Sequence, residues 1–204
     1  WISDARRQAD FVVSSLHCHE GENGAKNTHT PAKFIVEAAH QFIDAGADVF
    51  VGHGPHLLRG LEIYRGKPSF YSLGNFMFMC ENLTRMPAEM YELYGLPPTA
   101  TPADVFDFES RDEDGSPKAF HAERGFWQTV LPLCRFEARE LVSIELVPVS
   151  LGLDAPRSQR GLPQRAAGEE AEAILERLAQ LSRPFGTELE IKHEADTAVG
   201  HVLL

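Results

Sequence analysis

Cysteine is scarce in this chain of 204 residues, with three in all, Cys18, Cys80 and Cys134. An odd number without CxxC or zinc-ribbon spacing excludes a readable disulfide framework and leaves the redox compartment open. Long apolar runs are also missing. ADVFVG and FVVSSL are strand-length, and charge interrupts the rest, so no segment reads as a bilayer-spanning helix. Positive charge is in deficit, 19 Lys and Arg against 30 Asp and Glu, for a formal net charge of -11. That balance argues against nucleic acid or an anionic membrane surface as the main partner, and an anionic substrate would need a metal or a local patch to hold it. The chain opens with Trp1 inside a helix-like stretch, WISDARRQA, and reads as a portion of something longer, so no signal peptide is expected at its start.

With 43% hydrophobic and 24% charged residues, the chain can bury a substantial core. Ala9 to Leu16, ADFVVSSL, predicts a strand buried on both faces. PAKFIVEAAHQFIDA, from Pro31 to Ala45, predicts a helix with Thr30 as N-cap, Pro31 at the first position, and Gly46 as its stop. A strand from Asp48 to Gly52 follows and completes a parallel βαβ unit. LEIY and SFYSLG then predict a hairpin around Arg65 to Pro68 that extends the sheet. Residues 1–79 thus form the core part that carries the strand-end motifs. Residues 80–123, aperiodic and acidic, read as an insertion or lid. Residues 124–204 close the domain with antiparallel strands, FWQTVLPLCRFE and LVSIELVPVSL, and an amphipathic helix, Ala166 to Ser182. Two short strands, TELEIK and VGHVLL, end the chain.

Open α/β sheets bind ligands beyond the carboxyl ends of their strands, and two histidine motifs fall there. The first strand ends in His17-Cys18-His19-Glu20 and the second in Gly52-His53-Gly54-Pro55-His56. Imidazole nitrogen and carboxylate oxygen suit zinc, manganese or iron, and loops from adjacent strands can converge on one ion. Gly52 and Gly54 would permit a close backbone approach. The spacing leaves open whether His17 and His19 both reach one site. Asn75, in SLGNF, also fits a plain turn residue. His29, His40, His121, His193 and His201 are isolated and are assigned no role, and Cys18 reads as a small strand residue.

HCHEG, AGADVFVGHGPHLLRGLEIYRGKPSFYSLGNF, IELVPVSLG and LSRPFGTELEI together resemble the CapA family, the bacterial capsule or poly-γ-glutamate biosynthesis proteins. That family in turn resembles the calcineurin-like metallophosphatases. The resemblance implies an α/β fold, a calcineurin-like α/β/β/α sandwich of two mixed sheets of which this chain is the second half. By position, His17 matches that superfamily's lone strand-end histidine, and His53 and His56 match its final histidine pair. The pair here is spaced H-x-x-H, one residue wider than H-x-H, and Cys18 stands where many members carry Trp. The early Asp and Asn ligands would lie in an N-terminal half of the same protein, needed to complete the site.

The resemblance implies metal-assisted hydrolysis or transfer with one or two divalent ions, Mn, Fe or Zn. In that scheme His17, His53 and His56 are metal ligands, His56, His19 and Glu20 acid/base groups, and Asn75 positions a substrate oxygen. The expected partners are an anionic polymer or peptide substrate and membrane-bound synthase subunits, in a membrane-associated or extracytoplasmic bacterial setting. Two alternatives stand beside it: a metal-independent acid/base enzyme (epimerase, transferase or amide hydrolase) and a non-catalytic polymer-binding accessory subunit.

Overall fold

A computed structural model describes residues 1–79, 83–156, 158–194 and 196–204. Cys80 lies outside them; Cys18 and Cys134 are free thiols. After helix α1 (Ile2–Gln8) comes β1 (Val13–His17), then α2 (Lys33–Asp44) and β2 (Val49–His53), with β1 and β2 paired in parallel. The βαβ unit is present as the periodicity implied. Its helix starts later than Thr30 and Pro31 suggested: Ala32 is the N-cap and no side chain caps it. The buried stripe of α2, Ile35, Ala39 and Ile43, packs with Val12, Phe50 and Tyr71.

The hairpin β3 (Leu61–Tyr64) and β4 (Lys67–Phe70) completes a four-stranded mixed sheet in the order β1-β2-β4-β3, with β4 parallel to β2. β2 is therefore central. Phe50 points into the core beneath α2, while Val49 and Val51 join the core shared with the second sheet. β1 departs from expectation, because it is an edge strand and not one buried on both faces. Val13 is 58% exposed while Ser14 is buried. With one strand neighbour and α2 on one side only, its run of apolar and β-branched residues is half covered.

In chain order the strands of the two sheets are separated by two short helices, α3 (Ala88–Leu93) and α4 (Pro102–Ser110), in the stretch read as aperiodic. Their length hides them from a periodicity search. Yet α4 carries a signal, since Thr101 and Asp104 form a reciprocal capping box with Pro102 in the first turn.

The second sheet is antiparallel, which corrects the expectation of two mixed sheets. It runs β5-β6-β9-β8 from β5 (Gln128–Glu137), β6 (Glu140–Ser150), β8 (Leu189–Glu194) and β9 (Thr197–Val202), with the two-residue β7 (Gln164–Arg165) beside β6. Its strands are joined by tight turns or return across the helix, so no parallel crossover arises. Helix α5 (Gly168–Ser182) buries Ala171, Ile174, Leu175 and Leu178 in one core with Val130, Ile144 and Leu146 of this sheet and Leu61 and Phe70 of the first. On the other face of β5, Leu131 and Leu133 are exposed. Among the described residues no helix is long and apolar enough to cross a membrane.

Candidate functional site

The parallel register of β1 and β2 ends at His17 opposite His53. Directly paired residues of a parallel ladder project to the same face, and for these two it is the face of Val49 and Val51, toward the second sheet. Their Nδ1 atoms lie 2.9 Å apart. The ladder runs one step further, with Cys18 N–H donating to His53 O at 2.7 Å. His19, two residues beyond His17, shares its face, and the Nε2 atoms of the two rings are 3.2 Å apart. The turn after β2 then brings the His56 ring to 5.4 Å, centroid to centroid, from that of His19. Four histidines from two sequence motifs therefore form one contiguous cluster.

Two glycines make this crossing possible. A Cβ at Gly52 would sit 2.4 Å from Tyr71 O, and one at Gly54, where φ is +121°, would meet the backbone of Cys18 at 2.9 Å. The GHGPH turn thus lies directly on the HCHE segment. His56 itself holds φ +63°, a left-handed conformation that costs a non-glycine residue about 1–2 kcal/mol. Such strain persists only where the surroundings enforce it, and it gathers at functional sites.

The flanking polar groups are engaged. His19 Nδ1 is 2.8 Å from Asn27 Oδ1, and His56 Nδ1 is 2.9 Å from Asn75 Oδ1. Asn75 Nδ2 donates to Phe126 O at 3.0 Å, so both polar ends of this side chain contact the protein. Glu20, expected beside the imidazoles as an acid/base group, instead accepts the Cys18 thiol at 2.8 Å. That hydrogen bond holds the exposed Glu20 carboxyl below its usual range. Burial, then the bond to Glu20, pushes the Cys18 thiol up, which keeps it protonated and suits a non-nucleophilic role.

One residue of the site escaped the sequence reading. Arg59, 1% exposed, donates Nε to Thr28 O at 2.8 Å and Nη2 to Glu20 O at 2.9 Å, so its buried guanidinium ties the loop after His19 to the segment after His56. A long cation inside the apolar run LLRGLEI was the available signal. Burial lowers its pKa.

His17 turns one ring nitrogen to His53 and the other to His19, and this limits what the cluster can hold. Among the described residues no three His, Cys, Asp or Glu side chains form a group able to hold a metal ion. His17, His53 and His56 therefore do not enclose an ion by themselves. The paired nitrogens of His17 and His53 can furnish part of a coordination sphere, which groups from elsewhere would complete.

Residues 1–79, which carry every histidine of the cluster, match the family of bacterial capsule synthesis proteins, PGA_cap. The match covers that N-terminal part of the chain. Similar proteins frame the match. CapA, the PGA biosynthesis protein of Bacillus subtilis, is 43% identical over 77 residues, 38% of this chain and 19% of CapA. A probable polyglutamine synthesis accessory protein of Mycobacterium tuberculosis is 39% identical over 70 residues, 34% of this chain and 17% of that protein. The uncharacterized protein y4sH of Sinorhizobium fredii is 40% identical over 197 residues, covering 94% of this chain. The chain spans 41% of the length of y4sH.

Proposed function

We propose that this capsule-synthesis-family protein acts in the biosynthesis of an anionic polymer of the poly-γ-glutamate type, and that the histidine cluster performs metal-assisted hydrolysis or transfer on a phosphoryl or acyl group of that polymer or its precursor. The observation that carries the reading is the convergence of His17, His53, His19 and His56 at the carboxyl ends of two parallel strands, with His17 and His53 in register and 2.9 Å apart. Burial does not account for it, because His17 and His53 are exposed. A calcineurin-like ancestry fits the same residues by position.

In this reading His17 and His53 supply nitrogen ligands to a divalent Mn, Fe or Zn ion, with the remaining ligands coming from other parts of the full-length protein. Such an ion would supply Lewis acidity, lowering the pKa of water toward neutrality and polarising the acyl or phosphoryl oxygen of the group under attack. His56 and His19 hold or move a proton, each ring being oriented through its Nδ1 by an asparagine. Membrane-bound synthase subunits are the proposed partners, because a polymer-acting accessory site must meet the growing chain.

A second reading rests on one observation. The contacts His53–His17–His19–Asn27 form a continuous hydrogen-bond chain that needs no ion, as a metal-independent acid/base enzyme would use. Elemental analysis of full-length protein prepared without chelator, beside the His17→Ala/His53→Ala variant, separates the two. One or two equivalents of transition metal, lost in the folded variant, is the expected result. A folded, metal-free wild-type protein that still turns over its substrate would overturn the metal reading in favour of the second.

A further inference from the structure

Hydrogen-bond polarity makes His56 different from the other members of the cluster. The contacts of His17 with His53 and His19 join imidazole nitrogens, each able to donate or accept, so their geometry fixes no tautomer. At His56 the assignment runs from a group of fixed polarity. Phe126 O is a backbone carbonyl and can only accept, so the Asn75 atom 3.0 Å from it must be the amide nitrogen. The amide cannot then be flipped without setting oxygen against oxygen. Asn75 Oδ1 is thereby aimed at His56 Nδ1, 2.9 Å away, and that nitrogen must carry the proton. In neutral His56 the only lone pair left on the ring is at Nε2.

The anchor is itself rigid. Asn75 follows Gly74, where φ is +77°. Gly74 N–H donates to Ser72 Oγ at 3.1 Å, and Ser72 Oγ donates to the carbonyl of Leu57, the residue after His56, at 2.7 Å. Thr129 Oγ1 donates to Leu73 O on the other side. Ser72 and Phe126 are buried, which shields the Ser72–Leu57 bond from water. At His19 the ring makes the like contact with Asn27, but among the described residues the Asn27 amide has no such backbone anchor.

We propose that Asn75 is a positioning residue, which through Phe126 locks His56 in the Nδ1–H tautomer and so dedicates Nε2 to ligand binding or proton transfer. The inference rests on the role given to His56 above, and it assigns Asn75 to His56 instead of to substrate. It also places one determinant of the site, Phe126, outside the stretch that matches the family. The backbone of the later segment thus decides which nitrogen of an early histidine is available.

The test is a long-range proton–nitrogen correlation spectrum of the metal-free full-length protein labelled with ¹⁵N-histidine. His29 is the internal reference, because its Nδ1 lies 2.8 Å from Leu58 O and must be protonated regardless of residue 75. Wild-type His56 is expected to show the Nδ1–H pattern of His29. Asn75→Ala shifts it toward the Nε2–H form that free histidine prefers, with His29 unchanged. Asn75→Asp keeps an acceptor for the Nδ1 proton but sets a carboxylate oxygen against Phe126 O where the amide donated, so that proton's resonance moves from its wild-type position. A wild-type His56 in the Nε2–H form overturns the inference, as does an Asn75→Ala protein with the His56 pattern unmoved. Should Asn75→Ala fail to fold, an unmoved Nδ1 proton in Asn75→Asp overturns it equally. Because the spectrum needs no metal, a locked His56 in a protein that never binds metal would sink the metal reading alone, and a metal-binding protein with His56 as Nε2–H would sink this inference alone.

Discussion

The two ends of β2 put charge and polarity to opposite uses. At its start Asp48 is fully buried and saturated with partners: Val12 N–H at 2.9 Å, Arg6 at 2.7 Å and Arg139 at 2.9 Å, with Lys67 at 3.8 Å. At its end His53 is exposed and faces another imidazole. A buried polar group whose every bond is met by the fold is accounted for by stability. Exposed histidines that meet one another across strand ends are not, and they are the better guide to chemistry. The difference teaches that burial and satisfaction, more than residue type, separate a structural acid from a candidate site residue.

The comparison can be broken first at its structural end. Asp48→Ala strands Arg6 and Arg139 at the junction of α1, β2 and the β5–β6 turn, and it orphans the Val12 N–H. Removing one partner of a buried pair costs about 3–5 kcal/mol, and the partial exposure of both arginines places this case near the lower bound, about 3 kcal/mol. Urea denaturation should show the loss, with metal content of the folded fraction unchanged. Burial alone would raise the Asp48 carboxyl, but the Val12 N–H and Arg139, then Arg6, outweigh it and hold it below its ordinary value of 3.8. The unfolded chain therefore takes up this proton first as pH falls. The stability Asp48 confers is whole above pH 3.8 and fades as pH drops through its folded value, and in Asp48→Asn this stretch of the acid profile should flatten.

Gly52→Ala attacks the link between the two ends. Its Cβ would stand 2.4 Å from Tyr71 O, backbone that cannot swing aside, so β2 and the segment after β4 must part. Overpacking of this kind costs about 1–3 kcal/mol. Unlike Asp48→Ala, it displaces His53 relative to His17, so thermal unfolding and metal content should fall together. Normal metal content in the destabilised variant would show that the site tolerates a shift in the register of its strands.

Much of this was legible in the sequence, for reasons particular residues make clear. β2 is apolar because both its faces are covered, and α2 and α5 show their stripes because each lies against a sheet. The convergence of HCHE with GHGPH followed from strand order alone. What was not legible depended on distant neighbours. β1 read as fully buried, yet nothing in ADFVVSSL records that it has a strand on one side only. Glu20 read as an acid/base group, and nothing in the spacing announced that it also accepts the Cys18 thiol two residues back. Asn75 read as a turn residue or a substrate contact, since its pairing with His56 and with a carbonyl 51 residues onward leaves no local mark. Arg59 was passed over because a buried guanidinium is defined by the carbonyls around it.

The smallest effect on stability should come from the functional end. His17→Ala/His53→Ala removes two exposed rings whose main contact is with each other, and paired removal leaves no orphan between them. His19 Nε2 loses a partner, but water can replace it at this exposed rim. Substitutions of this kind cost within about 0.5 kcal/mol each, so the double variant should unfold within about 1 kcal/mol of wild type in urea. A loss as large as that of Asp48→Ala would erase the contrast and make the histidine pair a structural clasp of β1 to β2. A near-neutral effect joined to lost metal or lost turnover would mean that the fold keeps these imidazoles together for their reactivity, at an edge where packing does not require them.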